Sequence, residues 1–286
     1  MANRQPHLDV IKSDGKTAPF SSSKVRKSLL RSGAAPETVE MILDELYKEV
    51  YPGMSTSAIY EIVSRLLKKH SYTVAGKYHL KQAIFELGPS GFPFEQYVAE
   101  LFRHTGFTAS TNSLMDGHCV RHEVDILATR ERTAYIIECK YHQLQGTHCD
   151  VKIPLYVQSR FKDIALKWNE KGTYQCSGWI VTNTRFSTDA AQYAHCMGLK
   201  TMSWDSPAGK GLKDVIDQSG LYPVTCLTTL SYHEKYQLLN NGIILCKTLN
   251  ENPDRMAQAG INGIHKSIVL EESHQLCQRI KVNEWI

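Results

Sequence analysis

The sequence predicts an α/β (α+β) fold: a mixed sheet flanked by helices, between a mainly helical N-terminal domain and a helical C-terminal domain. Helix-like and strand-like segments alternate through the middle of the chain, and apolar residues recur at helical spacing on both sides of it. Turns rich in Gly, Pro and Ser occur at 88–91 and 206–209. Boundaries at these turns divide the chain into domains 1–90, 91–207 and 208–286.

The N-terminal domain is predicted to begin with a short hairpin. An extended segment runs from His7 to Lys12, and Asp14-Gly15 forms the turn. Apolar spacing and capping residues then predict helices at 23–32, 36–50, 55–70 and 73–87.

The middle domain supplies the sheet. Its elements are predicted in this order: helix 92–105, strands 123–129 and 134–139 with a polar turn between them, helix 155–168, strand 177–182, helix 188–197 and strand 199–204. This order favours a mixed sheet with helices on its faces.

The C-terminal domain is predicted to be a compact helical bundle, with helices at 228–240, 252–259 and 267–278. The segment 220–225 and the helices after it loosely resemble helix-hairpin-helix-like appendages. Backbone amides at Gly242 or Gly260 could hold DNA, but turn geometry explains these glycines equally well.

The composition indicates an ordinary globular protein. The net charge of +4 permits nucleic acid as a partner without arguing for it. The eight cysteines form no C-x-x-C pair and are expected to be reduced, mostly buried thiols. The first ten residues lack an apolar core of signal-peptide length, and no run long enough to span a membrane occurs, so we expect a cytoplasmic protein.

Two carboxylates and a lysine on adjacent predicted strands carry the strongest chemical signal. Asp125 and Glu138 each interrupt an apolar run, where an unpaired charge is costly to bury. Glu138 and Lys140 share one face of their strand, and a hairpin register can bring Asp125 beside Glu138.

This arrangement suits a divalent cation. The carboxylates of Asp125 and Glu138 and a backbone carbonyl, that of Cys139, form a plausible site for Mg²⁺ (or Mn²⁺) with open positions for water and a phosphate oxygen. Lys140 could orient or help deprotonate the attacking water. The alternative is a solvent-facing Glu-x-Lys ion pair, which is common on strands and contributes little. A metal at His142, His148 and Cys149 is less favoured than a polar loop, because no fourth ligand is evident.

The residues around this signal resemble the Mrr-like restriction endonuclease domains of the PD-(D/E)XK superfamily. The resemblance covers about 91–205 and rests on four segments: Gly91-Phe-Pro-Phe-Glu95 to Gly106-Phe107, His122-Glu-Val-Asp125, Glu138-Cys-Lys140 and Trp179-Ile-Val-Thr-Asn183. It implies a restriction-endonuclease-like fold and a Mg²⁺-dependent deoxyribonuclease with Asp125, Glu138 and Lys140 as catalytic residues. Glu95 would be an accessory acid, or else a helix-surface carboxylate. Gln158 lies where some related nucleases keep a helical glutamine near the metal.

The N-terminal domain carries a second resemblance. A P-loop is excluded, because a Walker A motif ending at Gly15-Lys16-Thr17 would need glycine where Val10 stands. The residues Val10-x-Lys12-x-Asp14-Gly15, Pro19-Phe20, Lys24-Val25, Thr56-x-x-Ile59-Tyr60 and Ala83-Ile84-Phe85 resemble the ATP-cone domain, over about 7–88. The alternative is a solvated basic hairpin.

The ATP-cone resemblance implies regulatory binding of ATP or dATP without hydrolysis. It assigns nucleotide contacts to Val10, Lys12, Gly15, Lys24, Val25 and Thr56. The chain departs from the pattern at Ser13, where an arginine is often found, and at Gly88-Pro89, where a basic residue is expected.

The sequence therefore predicts a DNA endonuclease under nucleotide control, with DNA and a nucleotide effector as partners and no membrane association. A dimer or higher homo-oligomer is expected, since one site cuts one strand. Two alternatives remain open: a structure-selective nuclease such as a junction resolvase, and a non-catalytic, nucleotide-responsive DNA-binding regulator.

Overall fold

The N-terminal part of the chain is a hairpin followed by four helices, in a computed structural model that describes residues 8–12, 15–172 and 174–278. Its elements are β1 (Asp9–Ile11), β2 (Thr17–Pro19), α1 (Ser22–Arg31), α2 (Pro36–Glu49), α3 (Thr56–His70) and α4 (Tyr72–Phe85). Ser21, Ser55 and Ser71 cap α1, α3 and α4 by accepting a hydrogen bond from a backbone N–H three residues later. The hairpin and the predicted helices are therefore present. Asp14 of the predicted turn lies outside the described residues.

The middle part forms a five-stranded mixed sheet covered by helices, as predicted. Its elements are α5 (Phe92–His104), β3 (Thr108–Asp116), β4 (Arg121–Arg130), β5 (Thr133–Lys140), β6 (His148–Cys149), α6 (Lys152–Lys171), β7 (Gln175–Thr182), β8 (Arg185–Phe186), α7 (Thr188–Cys196) and β9 (Lys200–Met202). The sheet order is β3-β4-β5-β7-β9, in which β3, β4 and β5 are antiparallel and β5, β7 and β9 are parallel. Strands β6 and β8 form a separate parallel pair.

Helices cover the two faces of this sheet because the strand residues alternate between two apolar clusters. On the α5 face, Phe102 packs edge-on against Tyr135 and Trp179. On the α6 face, Ile136 packs with Ile164. The sheet is consequently buried on both sides where its parallel strands lie.

Strand β3 is the main element that the sequence analysis missed. Its sequence, TASTNSLMD, is mostly polar and buries only Ala109 and Met115, because it is an edge strand. A strand with so few buried positions shows no clear alternation. The predicted strand 199–204 was also too long, since β9 covers only Lys200–Met202.

The C-terminal part is helical, as predicted, with elements α8 (Leu212–Ser219), a 3₁₀ turn (Val224–Cys226), α9 (Tyr232–Asn240), α10 (Cys246–Glu251), a 3₁₀ segment (Pro253–Ala259) and α11 (Gly263–Leu276). The segment predicted as a helix at 252–259 is thus a 3₁₀ segment, begun by Pro253 and ended by Gly260 with φ +76°. Glu272 is buried and accepts hydrogen bonds from the backbone N–H and hydroxyl groups of Thr228 and Thr229.

The C-terminal helices share one apolar core with the sheet and with the end of α4. This core extends from Leu80 and Ile84 through Phe102 to Leu276, whereas the hairpin and α1 to α3 pack around a separate core. Two buried hydrogen bonds join the parts: Thr225 Oγ1 donates to the Ala83 carbonyl and Tyr97 OH to the Leu221 carbonyl, both at 2.8 Å. Helix α4 therefore contributes residues to both apolar cores, Ala75 to the N-terminal one and Leu80 and Ile84 to the other.

Two further expectations concern the whole chain. All eight cysteines are free thiols, four of them buried and two, Cys119 and Cys196, exposed, so fewer are buried than predicted. Across the described ranges, no helix has both the length and the apolar character needed to cross a bilayer.

Candidate functional site

The carboxylates of Asp125 and Glu138 are brought together where β4 and β5 separate. The ladder between these strands ends at the pair Ile126–Ile137, so Asp125 and Glu138 occupy the next opposed positions. There the backbone N–H of Cys139 donates a 2.6 Å hydrogen bond to Asp125 Oδ2. The predicted register is therefore formed, and the backbone amide released from the ladder holds a side chain instead of another strand.

A distortion of β3 borders the same position. Strand β3 pairs with β4 on both sides of Asn112, but Asn112 itself is not paired with Asp125, the residue opposite it. Asn112 has φ +50°, an uncommon conformation for a residue other than glycine. Departures of this kind often adjoin functional sites, where they redirect a side chain.

Glu138 is the most enclosed charge of the site, with only 6% of its surface exposed. Its Oε1 accepts hydrogen bonds from Lys140 Nζ at 2.7 Å and Tyr156 OH at 3.0 Å. Its Oε2 accepts a hydrogen bond from Arg160 Nη1 at 2.5 Å. Two cations and a hydroxyl group thus offset the cost of burying this carboxylate.

Glu95 approaches the pair from the first turn of α5. Burial, followed by repulsion from Asp125 and Glu138, raises the pKa of Glu95 to about 7. The Glu95 side chain folds back toward Gly91, and a Cβ atom added to Gly91 would lie 3.3 Å from Glu95 Oε1. The structure therefore brings Glu95 within electrostatic range of both predicted catalytic carboxylates, Asp125 and Glu138.

The site carries an excess of negative charge that it does not fully neutralise. Burial and then repulsion by Glu138 raise the pKa of Asp125 to about 6. Partial burial opposes the charge of Lys140, but the attraction and hydrogen bond of Glu138 outweigh it and raise the Lys140 pKa. Lys140 is consequently a protonated cation at neutral pH, whereas the ionised forms of Asp125 and Glu95 are destabilised.

The donor set fits a hard divalent cation. Asp125 and Glu138 offer carboxylate oxygens on facing strands, and a cation between them would relieve the repulsion that raises the Asp125 pKa. Burial raises the pKa of the Cys139 thiol well above its usual range, so its backbone carbonyl is the appropriate ligand atom. Within the described part of the chain, no three His, Cys, Asp or Glu side chains form a complete ligand set. Water and phosphate oxygens would have to complete the coordination, as is usual for Mg²⁺.

Two residues of this site, Tyr156 and Arg160, were missed by the sequence analysis. They lie one helical turn apart on α6 and both contact Glu138. Gln158, which the sequence analysis placed near the metal, lies between them, about 200° around the helix from Tyr156. Among the described residues, no hydrogen bond joins Gln158 to Glu138, and Gln158 Oε1 is buried without a hydrogen-bond partner. A Tyr and an Arg four residues apart, following the Glu-x-Lys strand, are the sequence signal that could have identified this face.

The predicted nucleotide-contact residues gather around the N-terminal hairpin. The Ile11 backbone N–H donates to the Met54 carbonyl at 3.0 Å, and Ile11 pairs with Ser55, which places the start of α3 and Thr56 beside β1. Gly15 has φ +79°, as a hairpin turn requires. Further residues of this group are Lys12 at the end of β1 and Lys24 and Val25 in the first turn of α1.

Val10 differs from the other members of this group. It is 5% exposed and packs into the N-terminal core, so its side chain supports the hairpin from inside. Ser13 lies outside the described residues. The nucleotide-contact assignments remain predictions, and Val10 can contribute only through packing or its backbone.

The loop after β5 is polar, as predicted for His142, His148 and Cys149. His142 Nε2 lies 3.3 Å from Cys149 Sγ, and the His142 backbone exchanges two hydrogen bonds with the Asn183 side chain. His142 thus lies in a loop whose backbone is joined to the end of β7, whereas His148 and Cys149 form β6, with Cys149 buried.

Family comparisons identify three regions of the chain. The model of the ATP cone domain matches residues 8–82, the restriction endonuclease model matches residues 89–203, and the model described as AF1548-like, C-terminal, matches residues 222–277.

One relative and one solved structure each match about two thirds of this chain. An uncharacterized protein of Archaeoglobus fulgidus is 30% identical over 180 residues, which are 63% of this chain and 99% of that protein. A crystal structure described as a protein of unknown function, AF1548, aligns with a TM-score of 0.54 and 29% identity, over 66% of this chain and 98% of that chain.

Proposed function

Because this chain joins an ATP cone domain to a restriction endonuclease domain, we propose that it is a metal-dependent DNA endonuclease controlled by nucleotide binding. The chain belongs to the same family as the Archaeoglobus fulgidus protein and also has an AF1548-like C-terminal domain. The proposed domain boundaries are those of the sequence analysis: 1–90, 91–207 and 208–286. The proposed functional unit is a homo-oligomer, a dimer or larger, because double-strand cleavage needs two sites.

The observation that carries the proposal is the convergence of three carboxylates and a lysine where β4 and β5 separate. Repulsion by Glu138 contributes to the raised pKa of Asp125, and repulsion by Asp125 and Glu138 to that of Glu95, while Lys140 lies 2.7 Å from Glu138. Clusters of ionisable groups with opposed shifts are typical of active sites. A solvent-facing ion pair, the alternative reading of Glu-x-Lys, does not account for a glutamate that is 6% exposed.

Asp125, Glu138 and the Cys139 carbonyl would hold Mg²⁺ or Mn²⁺. When bound, the metal supplies an acidified water and charge stabilisation for the phosphate under attack. Asp125 is already oriented for this task, because the Cys139 N–H holds one of its two oxygens. Glu95, with a pKa of about 7, would accept or return a proton near neutral pH.

Lys140 is proposed to act as a cation. Its raised pKa disfavours loss of the ammonium proton at neutral pH, so it would orient the attacking water and contact the scissile phosphate by hydrogen bonding. Arg160 is 29% exposed at its side chain and lies on the same carboxylate, and it would provide a second positive contact for the phosphate.

ATP or dATP is proposed to bind at the N-terminal hairpin and to change cleavage through α4. Tyr141, the residue after Lys140, donates a 2.6 Å hydrogen bond from its hydroxyl to the Phe85 carbonyl at the end of α4. The Tyr141 ring also packs against Phe94 of α5, at 5.6 Å between centroids. The catalytic strand and the nucleotide-binding domain thus share a direct contact, through which two states of α4 could differ in cleavage.

The test is cleavage by the full-length protein with Mg²⁺, with and without ATP, compared with Asp125→Asn. Asparagine keeps the volume and can accept the Cys139 hydrogen bond, so only the charge is lost. Asp116→Asn, at an exposed ion pair on β3, is the matched control. We expect cleavage by the parent and the control and a loss of about 100-fold or more in Asp125→Asn.

The substrates should include unmethylated and methylated plasmid, linear duplex and a four-way junction. Preference for the junction would identify a structure-selective nuclease. Equal activity of the parent and Asp125→Asn, or specific DNA binding without cleavage of any substrate, would contradict the proposal and favour a non-catalytic regulator.

A further inference from the structure

A small basic crevice lies at the junction between α4 and the carboxyl ends of the parallel strands. It has a volume of about 110 Å³, and its lining includes Lys81 and Phe85 of α4, His148 of β6, Asn183 after β7, Arg185 of β8 and Trp204 after β9. In open α/β sheets, ligands bind at the carboxyl ends of parallel strands, where the loops diverge. The location is therefore one at which a ligand is expected.

The chemistry of the lining selects an anion. Lys81, Arg185 and His148 bring nitrogen donors to the crevice, and Asn183 adds an amide, whereas no carboxylate is among the lining residues. Arg185 is partly neutralised by Asp205, which it contacts through Nε and Nη2. Lys81, by contrast, forms no salt bridge with any residue that the structure describes. The volume of about 110 Å³ is well below that of a pocket for a drug-sized ligand and can hold a single phosphate group.

The electrostatics of Lys81 agree with this view. Lys81 as a whole is exposed, but desolvation of its amine, followed by repulsion from Arg185, lowers the pKa of that amine. Asp205 opposes the shift without cancelling it. An anion in the crevice would satisfy both cations and remove the repulsion between them.

The crevice is connected to the catalytic strand by short hydrogen bonds. Thr182 Oγ1 donates to the Lys140 carbonyl at 2.7 Å, and the next residue, Asn183, lines the crevice. Asn183 also exchanges two hydrogen bonds with the His142 backbone. The crevice and the proposed active site are thus built on the same ends of β5 and β7.

We propose that this crevice binds a backbone phosphate of the DNA substrate beyond the scissile one, with Lys81 of α4 as a contact that the N-terminal domain contributes to the DNA interface. The inference rests on the proposed function and extends it, because it makes one domain part of both nucleotide control and DNA binding. Any movement of α4 on nucleotide binding would then directly change the affinity of the protein for DNA.

The test measures DNA affinity of the full-length protein in EDTA, as a function of salt, for the parent, Lys81→Ala and Lys81→Arg. Each phosphate contact contributes about 0.9 to the slope of log affinity against log salt. We expect Lys81→Ala to reduce the slope by about 0.9 and Lys81→Arg to retain it. Lys48→Ala, which removes one exposed lysine of the same domain, should leave the slope unchanged.

Binding of ATP to the same variants, without DNA, separates a DNA phosphate from a phosphate of the effector. A Lys81→Ala protein with unchanged DNA slope and weakened ATP binding would overturn the DNA assignment. The DNA assignment would also be overturned if the parent cut DNA and Lys81→Ala kept both the salt slope and the DNA affinity of the parent. That result would leave the proposed nuclease function intact. A parent that binds DNA with the expected Lys81 dependence but never cuts it would support the crevice and refute the nuclease.

Discussion

The backbone N–H of Cys139 donates a 2.6 Å hydrogen bond to Oδ2 of Asp125, so the main chain of β5 orients the carboxylate carried by β4. The bond exists because the β4–β5 ladder ends at Ile126–Ile137 and leaves the amide available. A metal ligand positioned in advance does not have to be ordered when the cation binds. The geometry that ends strand pairing is therefore also the geometry that builds the proposed site.

Metal-free protein is expected to lose stability as the pH rises from about 4 to about 7 because of Asp125 and Glu95. Their folded pKa values of about 6 and about 7 exceed the ordinary 3.8 and 4.5, so the folded state binds more protons than the unfolded state. The stabilising contribution is complete below the ordinary pKa values and is lost as the pH passes through the raised ones.

The check is the difference in unfolding free energy between the parent and the double variant Asp125→Asn/Glu95→Gln, measured in EDTA from pH 4 to pH 8. The parent should become less stable relative to the variant as the pH rises. Addition of Mg²⁺ or Mn²⁺ at neutral pH should raise the melting temperature of the parent and not that of the variant. A pH-independent difference would show that folding does not raise the pKa values of these two carboxyl groups.

Two replacements of Lys140 should distinguish a role as a positive charge from a role in proton transfer. The raised pKa of Lys140 keeps the ammonium protonated, so we expect Lys140→Arg to retain part of the cleavage rate and Lys140→Gln to lose about 100-fold. The measurement is single-turnover cleavage against pH. A Lys140→Arg protein as inactive as Lys140→Gln, with a basic limb of the parent profile that both variants abolish, would instead indicate a general base.

Replacement of Arg160 should have opposite effects on metal binding and cleavage. Arg160 Nη1 occupies Glu138 Oε2 at 2.5 Å, so Arg160→Ala removes a cation that competes for this carboxylate. We expect tighter Mn²⁺ binding together with a fall of about 100-fold in cleavage, because the phosphate loses a donor. Arg121→Ala, which breaks an exposed ion pair on β4, is the control. Weakened metal binding in Arg160→Ala would argue that the arginine only supports the fold.

The contact between Tyr141 and α4 should transmit the nucleotide effect. Tyr141→Phe removes the hydroxyl that donates to the Phe85 carbonyl at 2.6 Å but keeps the ring against Phe94. We expect the ratio of cleavage with ATP to cleavage without it to move toward one, by about fivefold if the contact carries about 1 kcal/mol of coupling. Tyr236→Phe, on a half-exposed ring of α9, serves as the control. An unchanged ratio would exclude this contact as the route.

The features predicted from sequence are those that local spacing determines. Helical periodicity and serine caps located α1 to α5 to within a few residues, and alternating apolar positions located β4 and β5. Charges that interrupt those apolar runs indicated Asp125, Glu138 and Lys140, and strand alternation put Glu138 and Lys140 on one face. Strand β3 escaped because an edge strand buries too few residues to show a pattern.

The surroundings of these residues depend on contacts distant in sequence. Tyr156 and Arg160 reach Glu138 across 18 and 22 residues, and Tyr141 reaches Phe85 across 56. The spacing of a helix specifies which of its residues share a face but not what that face will contact, which is why Tyr156 and Arg160 were not predicted as neighbours of Glu138. The sequence by itself determined the elements and the charged residues within them. Only the packing of α4, α5 and α6 on the sheet decided which groups share the site, because burial and charge depend on neighbours that the folded chain brings together.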